Sequence, residues 1–306
     1  PMPSLFFIAE LLLVGDEAGR RRRLLVGRHR HRVGVLRAVA VGHGRDLPGA
    51  GETDAVPEGD TIHHAANRLR PALVGRPLVR FDAPRAVGKR PTPGTTITAV
   101  DAVGKHLLIR FDDGSLLRTH MRMTGSWHLY ETTDRWRKPA HLARAVVEVP
   151  GWVAVCFSAP VVELEHERTG GPAIRHLGPD LTAGGDVDVC VQRLTTLAEP
   201  DSEIGAALLD QRIASGIGNI WKSETLWACG VDPAAHVADL DPATQRQLFV
   251  TASKLLQASV RDVGPRTPVA VYGRRGQPCR RCGTPIRMRR QGEQQRSTYW
   301  CPQCQQ

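Results

Sequence analysis

Four of the seven cysteines fall near the end of the chain in two pairs, Cys279-Arg280-Arg281-Cys282 and Cys301-Pro302-Gln303-Cys304, with 18 residues between them. Two Cys-x-x-Cys turns of this kind place four thiolates tetrahedrally at about 2.3 Å around Zn²⁺, and the stretch between them has the length of a β-hairpin. Because a Cys₄ set leaves no open coordination position, the expected ion is one structural zinc and not a catalytic one. The same stretch carries Arg287, Arg289, Arg290 and Arg296, a basic surface suited to backbone phosphates. An odd cysteine count with this spacing points to metal in a reducing compartment and not to a disulfide framework. Cys156, Cys190 and Cys229 stand singly and read as buried structural thiols.

Three further segments hold residues able to do chemistry. Ala214-Ser215-Gly216-Ile217-Gly218-Asn219-Ile220-Trp221 is a glycine-bearing turn between two predicted helices. Such a turn exposes free N–H groups at the start of the second helix, a phosphate seat to which Asn219 adds a side-chain donor, but a purely structural turn has the same composition. In Val103-Gly104-Lys105-His106 a lone lysine opens an apolar strand, either as a phosphate contact or as an exposed strand end, and His106 reads as structural. Val56-Pro57-Glu58-Gly59-Asp60-Thr61-Ile62, taken by itself, is a helix start whose proline and acids complement the macrodipole.

These segments need elements to position them. Ile62, Ala65, Ala66, Leu69 and Leu73 recur on one helical face, and Gly75 and Pro77 stop that helix. Short β-rich runs follow at 96–100, 105–111, 115–119, 145–149 and 153–157, with turn signals at Asp112-Asp113-Gly114 and Pro150-Gly151, the pattern of an antiparallel sheet. After Gly178-Pro179 the texture becomes helical, at 203–209, 219–229 and 242–260, the last with Asp241 as N-cap and Pro242 at its first position. A Gly/Pro/Arg linker, 264–276, leads into the cysteine tail.

The 306 residues make about two domains' worth of chain. Lys and Arg outnumber Asp and Glu by 41 to 31, a net charge of +10 that favours a polyanionic partner. No apolar run reaches the roughly 18 to 20 residues of a membrane span. The longest, Leu5–Val14, is broken by Glu10 and precedes its arginines, the wrong order for a secretory signal, so a cytoplasmic protein is expected. Residues 1–55 contain no Lys and nine Arg without sustained periodicity. They read as a non-native or mis-annotated extension, or else as a basic arm or targeting segment, and the rest of the chain stays basic without them.

Pro-Glu-Gly-Asp-Thr-Ile, the Gly-Lys-His strand start, Gly-Ile-Gly-Asn between helices and a terminal Cys₄ finger, in this order, resemble the formamidopyrimidine-DNA glycosylase/endonuclease VIII family over residues 57–306. Leu208-Leu209-Asp210-Gln211 and Arg296-Ser297-Thr298-Tyr299-Trp300-Cys301 resemble its endonuclease VIII branch. The resemblance implies a multidomain α+β fold: an N-terminal β-sandwich with a flanking helix over 57–178, a helix–two-turns–helix DNA-binding domain over 179–263, and a linker and zinc finger over 264–306.

It also implies an enzyme, a bifunctional DNA glycosylase/AP lyase of base-excision repair acting on damaged double-stranded DNA, as a monomer and without organic cofactor. Pro57, as a free secondary amine, would attack C1′ of the damaged nucleotide, and Glu58 would handle the proton transfers. Lys105, Asn219 and Arg296 match positions that grip phosphates around the flipped nucleotide. Met123, in His120-Met121-Arg122-Met123, is placed to fill the gap in the base stack, with a core position as the other reading.

Two departures bear on this. An amide nitrogen is not a nucleophile, so Pro57 requires the loss of residues 1–56, for which initiation at a GTG codon read as Val56 is one route. The Asp-Pro-Arg-Arg-Phe stretch of the formamidopyrimidine branch is replaced by Cys156-Phe157-Ser158-Ala159-Pro160. That favours oxidised pyrimidines over oxidised purines, the alternative substrate, and a blocked Pro57 would leave a non-catalytic damaged-DNA-binding protein.

Overall fold

The computed structural model describes residues 11–15, 21–25, 57–166, 172–261 and 268–306. The expectations for the remainder of residues 1–56, Val56 included, lie outside them. Strands β1 (Leu11–Gly15) and β2 (Arg21–Leu25) pair antiparallel, and this hairpin belongs to a compact unit separate from the one that holds residues 52–306. No helix among the described residues is long and apolar enough to cross a membrane.

The larger unit begins with α1 (Gly59–Leu73), whose Ile62, Ala66, Leu69 and Leu73 are buried as their spacing predicts. Gly75, at φ 78°, turns the chain out of it. Two four-stranded antiparallel sheets follow. One runs β10 (Val161–His166), β6 (Ser115–His120), β5 (His106–Phe111), β4 (Ile97–Val103); the other runs β3 (Arg80–Asp82), β8 (Ala143–Val149), β9 (Trp152–Phe157), β7 (Ser126–Glu131). Leu107, Ile109, Phe111 and Leu117 of the first sheet meet Val147, Val149, Ala154 and Cys156 of the second in one core with the apolar face of α1, which makes the β-sandwich with its flanking helix. Burial of this apolar area is the main force holding the layers together.

Strands β3, β7 and β10 add to the runs expected from sequence. Strand β10 reads as polar because Glu163 and Glu165 sit in it, yet both pair with the buried Arg118 guanidinium of β6, Glu165 at 2.6 Å. Charged residues that neutralise one another across a ladder are compatible with a strand.

The helical part contains α2 (Pro172–Arg175), α3 (Val187–Leu197), α4 (Ile204–Ala207), α5 (Asn219–Cys229) and α6 (Pro242–Arg261). Helix α3, capped by Asp186, was not expected, and α4 is shorter than its predicted run because its hydrogen bonds give way to turns after Ala207. The closing hairpin, β11 (Arg287–Gln291) with β12 (Arg296–Trp300), lies between the two cysteine pairs. Cys156 and Cys190 are buried, whereas Cys229 is half-buried with its thiol 3.4 Å from Thr251 Oγ1.

Arg118→Ala would strand Glu165 in the sandwich without its cation. A loss of about 3 to 5 kcal/mol is expected, the usual cost of breaking a buried ion pair, measured by urea unfolding against wild type.

Candidate active site and nucleic-acid interface

Glu58 is the N-cap residue of α1, but its side chain serves a different helix. Its carboxylate accepts the N–H of Ile220 at 2.6 Å and that of Trp221 at 3.2 Å, so it caps the first turn of α5 from 162 residues away. These N–H groups have no partner within their own helix, and the positive end of the helix dipole favours an anion there. The carboxylate is 1% exposed. Burial raises its pKa to about 7, against the opposing pull of Lys105 and the two backbone N–H groups. A carboxyl that titrates near neutrality is suited to giving and taking protons.

Glycines make this approach possible. A Cβ on Gly218 would lie 2.2 Å from Glu58 Cδ, and Gly216, at φ 99°, would put one 2.6 Å from Thr182 Oγ1. The Gly59 N–H donates to Gly216 O at 3.0 Å and joins the start of α1 to the same turn. Gln211 braces that turn, donating to Leu209 O and Ile217 O and accepting from the Gly216 N–H.

Lys105 reaches the site through another glycine turn. The Gly104 N–H donates to Asp180 Oδ2 at 2.7 Å; the same carboxylate accepts from the Thr182 N–H and meets His63 of α1 at 3.1 Å. Burial alone would raise the Asp180 pKa, but the bonds from His63 and Gly104 outweigh it and hold the group below its ordinary value. Lys105 is half-buried, not an exposed strand end. Burial lowers its pKa to about 8, with the Glu58 charge opposing and Arg296 adding to the shift. Lys105 therefore feels the charges of both Glu58 and Arg296.

Asn219 opens α5, and its buried Oδ1 is left without a hydrogen bond. Tyr272, absent from the sequence reading, lies against it and within the fields of Glu58 and Arg296; burial raises the phenol. Tyr272 is fixed because Glu224 of α5 accepts three successive N–H groups, from Ala270, Val271 and Tyr272, at 2.6 to 3.0 Å. The described part of the segment read as a linker is thus anchored. Only the polar residue Glu224, inside a helix, could have signalled that.

Arg296 sits at the start of β12, with its guanidinium near the Met123 sulfur at 3.9 Å. Met123 is 56% exposed, while Met121, two residues earlier, is in the core. Between them Arg122 adopts φ 45°, and its N–H donates to His120 Nδ1. The fold so brings Glu58, Lys105, Asn219 and Arg296 together and sets Met123 beside Arg296 on the surface. Pro57, half-buried, precedes Glu58 directly. Among the arginines of the hairpin, Arg289 is engaged by Glu203 at 2.8 Å, while Arg287 and Arg290 remain exposed.

The sulfurs of Cys279, Cys282, Cys301 and Cys304 all lie within 4.8 Å of one another, with Cys279–Cys304 at 4.0 Å and Cys282–Cys301 at 3.4 Å. A tetrahedron of Zn–S bonds has S···S edges of about 3.8 Å, so the set fits a structural Zn²⁺. Trp227 of α5 donates to Cys279 Sγ at 3.4 Å, and Arg281 stacks on its ring at 4.2 Å.

Models of the formamidopyrimidine-DNA glycosylase N-terminal domain, its H2TH domain, and the zinc finger found in FPG and IleRS match residues 56–158, 177–268 and 276–306. The chain is 41% identical to "Probable endonuclease 8 2" of Streptomyces coelicolor, over 82% of this chain and 94% of that one. The chain belongs to the formamidopyrimidine-DNA glycosylase/endonuclease VIII family. It is also 38% identical to the "DNA-(apurinic or apyrimidinic site) lyase Nei2" of Mycolicibacterium smegmatis, over 82% of this chain and 99% of that one. Among solved structures it shares the fold of the Lactococcus lactis formamidopyrimidine-DNA glycosylase bound non-covalently to AP-site DNA, with a TM-score of 0.71, 24% identity, and coverage of 81% of this chain and 99% of that one.

Two tests follow from how this family member seats Glu58. Its folded pKa, about 7 against 4.5 for the free group, means that the folded form holds the proton more tightly. The resulting stability is complete below pH 4.5 and fades as pH rises through 7. Relative to Glu58→Gln, the full chain is expected to lose about 3 kcal/mol across that window, read from urea melts at stepped pH. Gly218→Ala is expected to cost about 1 to 3 kcal/mol, because the methyl must displace the carboxylate.

Proposed function

We propose that this chain, with Pro57 as its free amino terminus, removes oxidised pyrimidines from duplex DNA. As a member of this family it is a bifunctional DNA glycosylase/AP lyase of base-excision repair. The observation that carries the reading is the Glu58 carboxyl, one residue from Pro57, buried on the α5 N-terminus and titrating near neutrality within the field of Lys105.

The damaged nucleotide is extruded from the duplex, at a cost smallest for a base that already stacks poorly. The unprotonated Pro57 nitrogen attacks C1′, and the base leaves with the electrons of the glycosidic bond. Glu58 supplies the proton that opens the sugar, which leaves an iminium between Pro57 and C1′. The iminium acidifies the sugar, and β- then δ-elimination cut the strand on both sides. Lys105, Asn219 and Arg296 hold the flanking phosphates, and Met123, exposed beside Arg296, fills the vacated stack. Zn²⁺, one per chain, supplies folding energy to the hairpin that carries Arg296 and takes no part in the steps. All these residues come from one chain, which supports action as a monomer.

Residues 1–56 must be absent from the active form, because an amide nitrogen has no lone pair to offer. The start of the first family-model match at residue 56 agrees with this. The pyrimidine preference rests on the endonuclease VIII-type motifs and on the missing Asp-Pro-Arg-Arg-Phe stretch.

Borohydride reduces the iminium to a stable adduct, so trapping on an abasic-site duplex tests the reading. The expected result is an adduct for the chain beginning at Pro57, none for the 306-residue chain, and loss of most of it in Pro57→Gly. Binding of the abasic duplex by both chains with no adduct from either would overturn catalysis. A parallel assay on 5-hydroxyuracil and 8-oxoguanine duplexes is expected to favour the first, and the reverse order would reassign the lesion class.

A further inference from the structure

Lys222 is 0% exposed, and no step above uses it. It lies on α5 just after the two residues whose N–H groups hold Glu58. Its Nζ donates to Thr298 Oγ1 of β12 at 2.7 Å and lies 3.5 Å from Ser297 O. Burying an ammonium is costly unless its protons are placed. Here burial lowers the Lys222 pKa to about 7, against the pull of Glu58.

The chain of donors beyond it has a fixed direction. Thr298, accepting from Lys222, donates to Gln291 Oε1 at 2.7 Å across the hairpin. The Gln291 amide then donates to Glu203 Oε2 at 2.9 Å and to Pro233 O, and Glu203 holds Arg289. Apart from the Thr298–Gln291 bond inside it, every link joins the β11–β12 hairpin to the helical part. Strand residues two apart share a face, so Thr298 and Arg296 project from the same side of β12. A hold on Thr298 is a hold on Arg296.

We propose that Lys222 is a positioning residue for the phosphate grip: by fastening Thr298 to the first turn of α5, it sets Arg296 at a fixed distance from Glu58, which the same turn carries. The zinc knuckles secure the base of the hairpin, at Cys279 and Cys301; Lys222 secures the strand that presents Arg296. This rests on the reading of Arg296 as a phosphate contact, but its test needs only DNA binding and no turnover.

The experiment measures binding of the full chain to a duplex with a tetrahydrofuran abasic analogue by fluorescence anisotropy, with zinc content determined for each variant. Lys222→Met is expected to weaken binding about tenfold, the scale of one charge-assisted hydrogen bond, with zinc retained. Thr298→Val is expected to match it, and Thr298→Ser, which keeps the hydroxyl, to bind as wild type. Lys222→Met combined with Arg296→Ala should bind no more weakly than Arg296→Ala alone, because both changes remove one contact. Independent, multiplying losses, or unchanged binding in Lys222→Met, would overturn the proposal. Should Lys222→Met fail to fold, the Thr298→Val and Thr298→Ser pair decides: equal losses in both would refute the hydroxyl link. A wild-type chain beginning at Pro57 that binds the analogue yet never traps with borohydride on a true abasic-site duplex would refute the catalytic reading and leave this one standing.

Discussion

The contact between the Glu58 carboxylate and the first N–H groups of α5 is the interaction on which the rest of the molecule is arranged. Two costs cancel there. A buried carboxylate without donors and a buried helix N-terminus without acceptors are each expensive, and each supplies what the other lacks. The pairing stops short of full compensation, which leaves the carboxyl raised to about 7. Fold and chemistry therefore draw on one contact: whatever seats the carboxyl against the helix also sets how readily it gives up a proton.

Helix α5 extends this arrangement along its length. Residues 220 to 226 are buried without interruption, so this stretch of the helix has no outer face and its polar residues point at protein. Successive positions hold different parts: Ile220 and Trp221 hold Glu58, Lys222 the hairpin, Ser223 the Tyr299 N–H, Glu224 the 270–272 turn, and Trp227 a zinc knuckle. Asp180 plays the corresponding part for the β-sandwich, joining α1, the Gly104 turn before Lys105, and the Thr182 turn through one carboxylate. Segments far apart in sequence converge because two elements with buried polar groups need them.

This explains which parts of the molecule were legible in advance. The zinc set depends on spacing alone, and α1 and α6 carry one apolar stripe each, so both kinds of feature show in sequence. The limits of α5 were legible from Gly218 and Gly230, which flank it, but its role was not. A helix buried all round has no stripe, and Lys222 and Glu224 look like solvent-facing residues until their partners, 76 and 46 residues away, are known. Glu58 by itself reads as a complement to α1, its own helix; only the tertiary structure reveals that it serves α5. Strand β10 was hidden by glutamates that pair with Arg118, and Tyr272 by a glycine- and proline-rich neighbourhood that resembles a loose tether. In each case the missing information was the identity of a distant partner.

The close approach at Gly216 and Gly218 has a consequence for how the protein tolerates change. A carboxylate such as Glu58 or an arginine such as Arg296 can be exchanged for a smaller or isosteric residue and leave a folded protein. Nothing smaller than glycine exists, so any replacement at Gly218 adds atoms where Glu58 already stands. The positions that bear no functional group are thus the ones with no conservative substitute, and a map of tolerated mutations would show its deepest minima at the glycines beside Glu58 as well as at Glu58 itself.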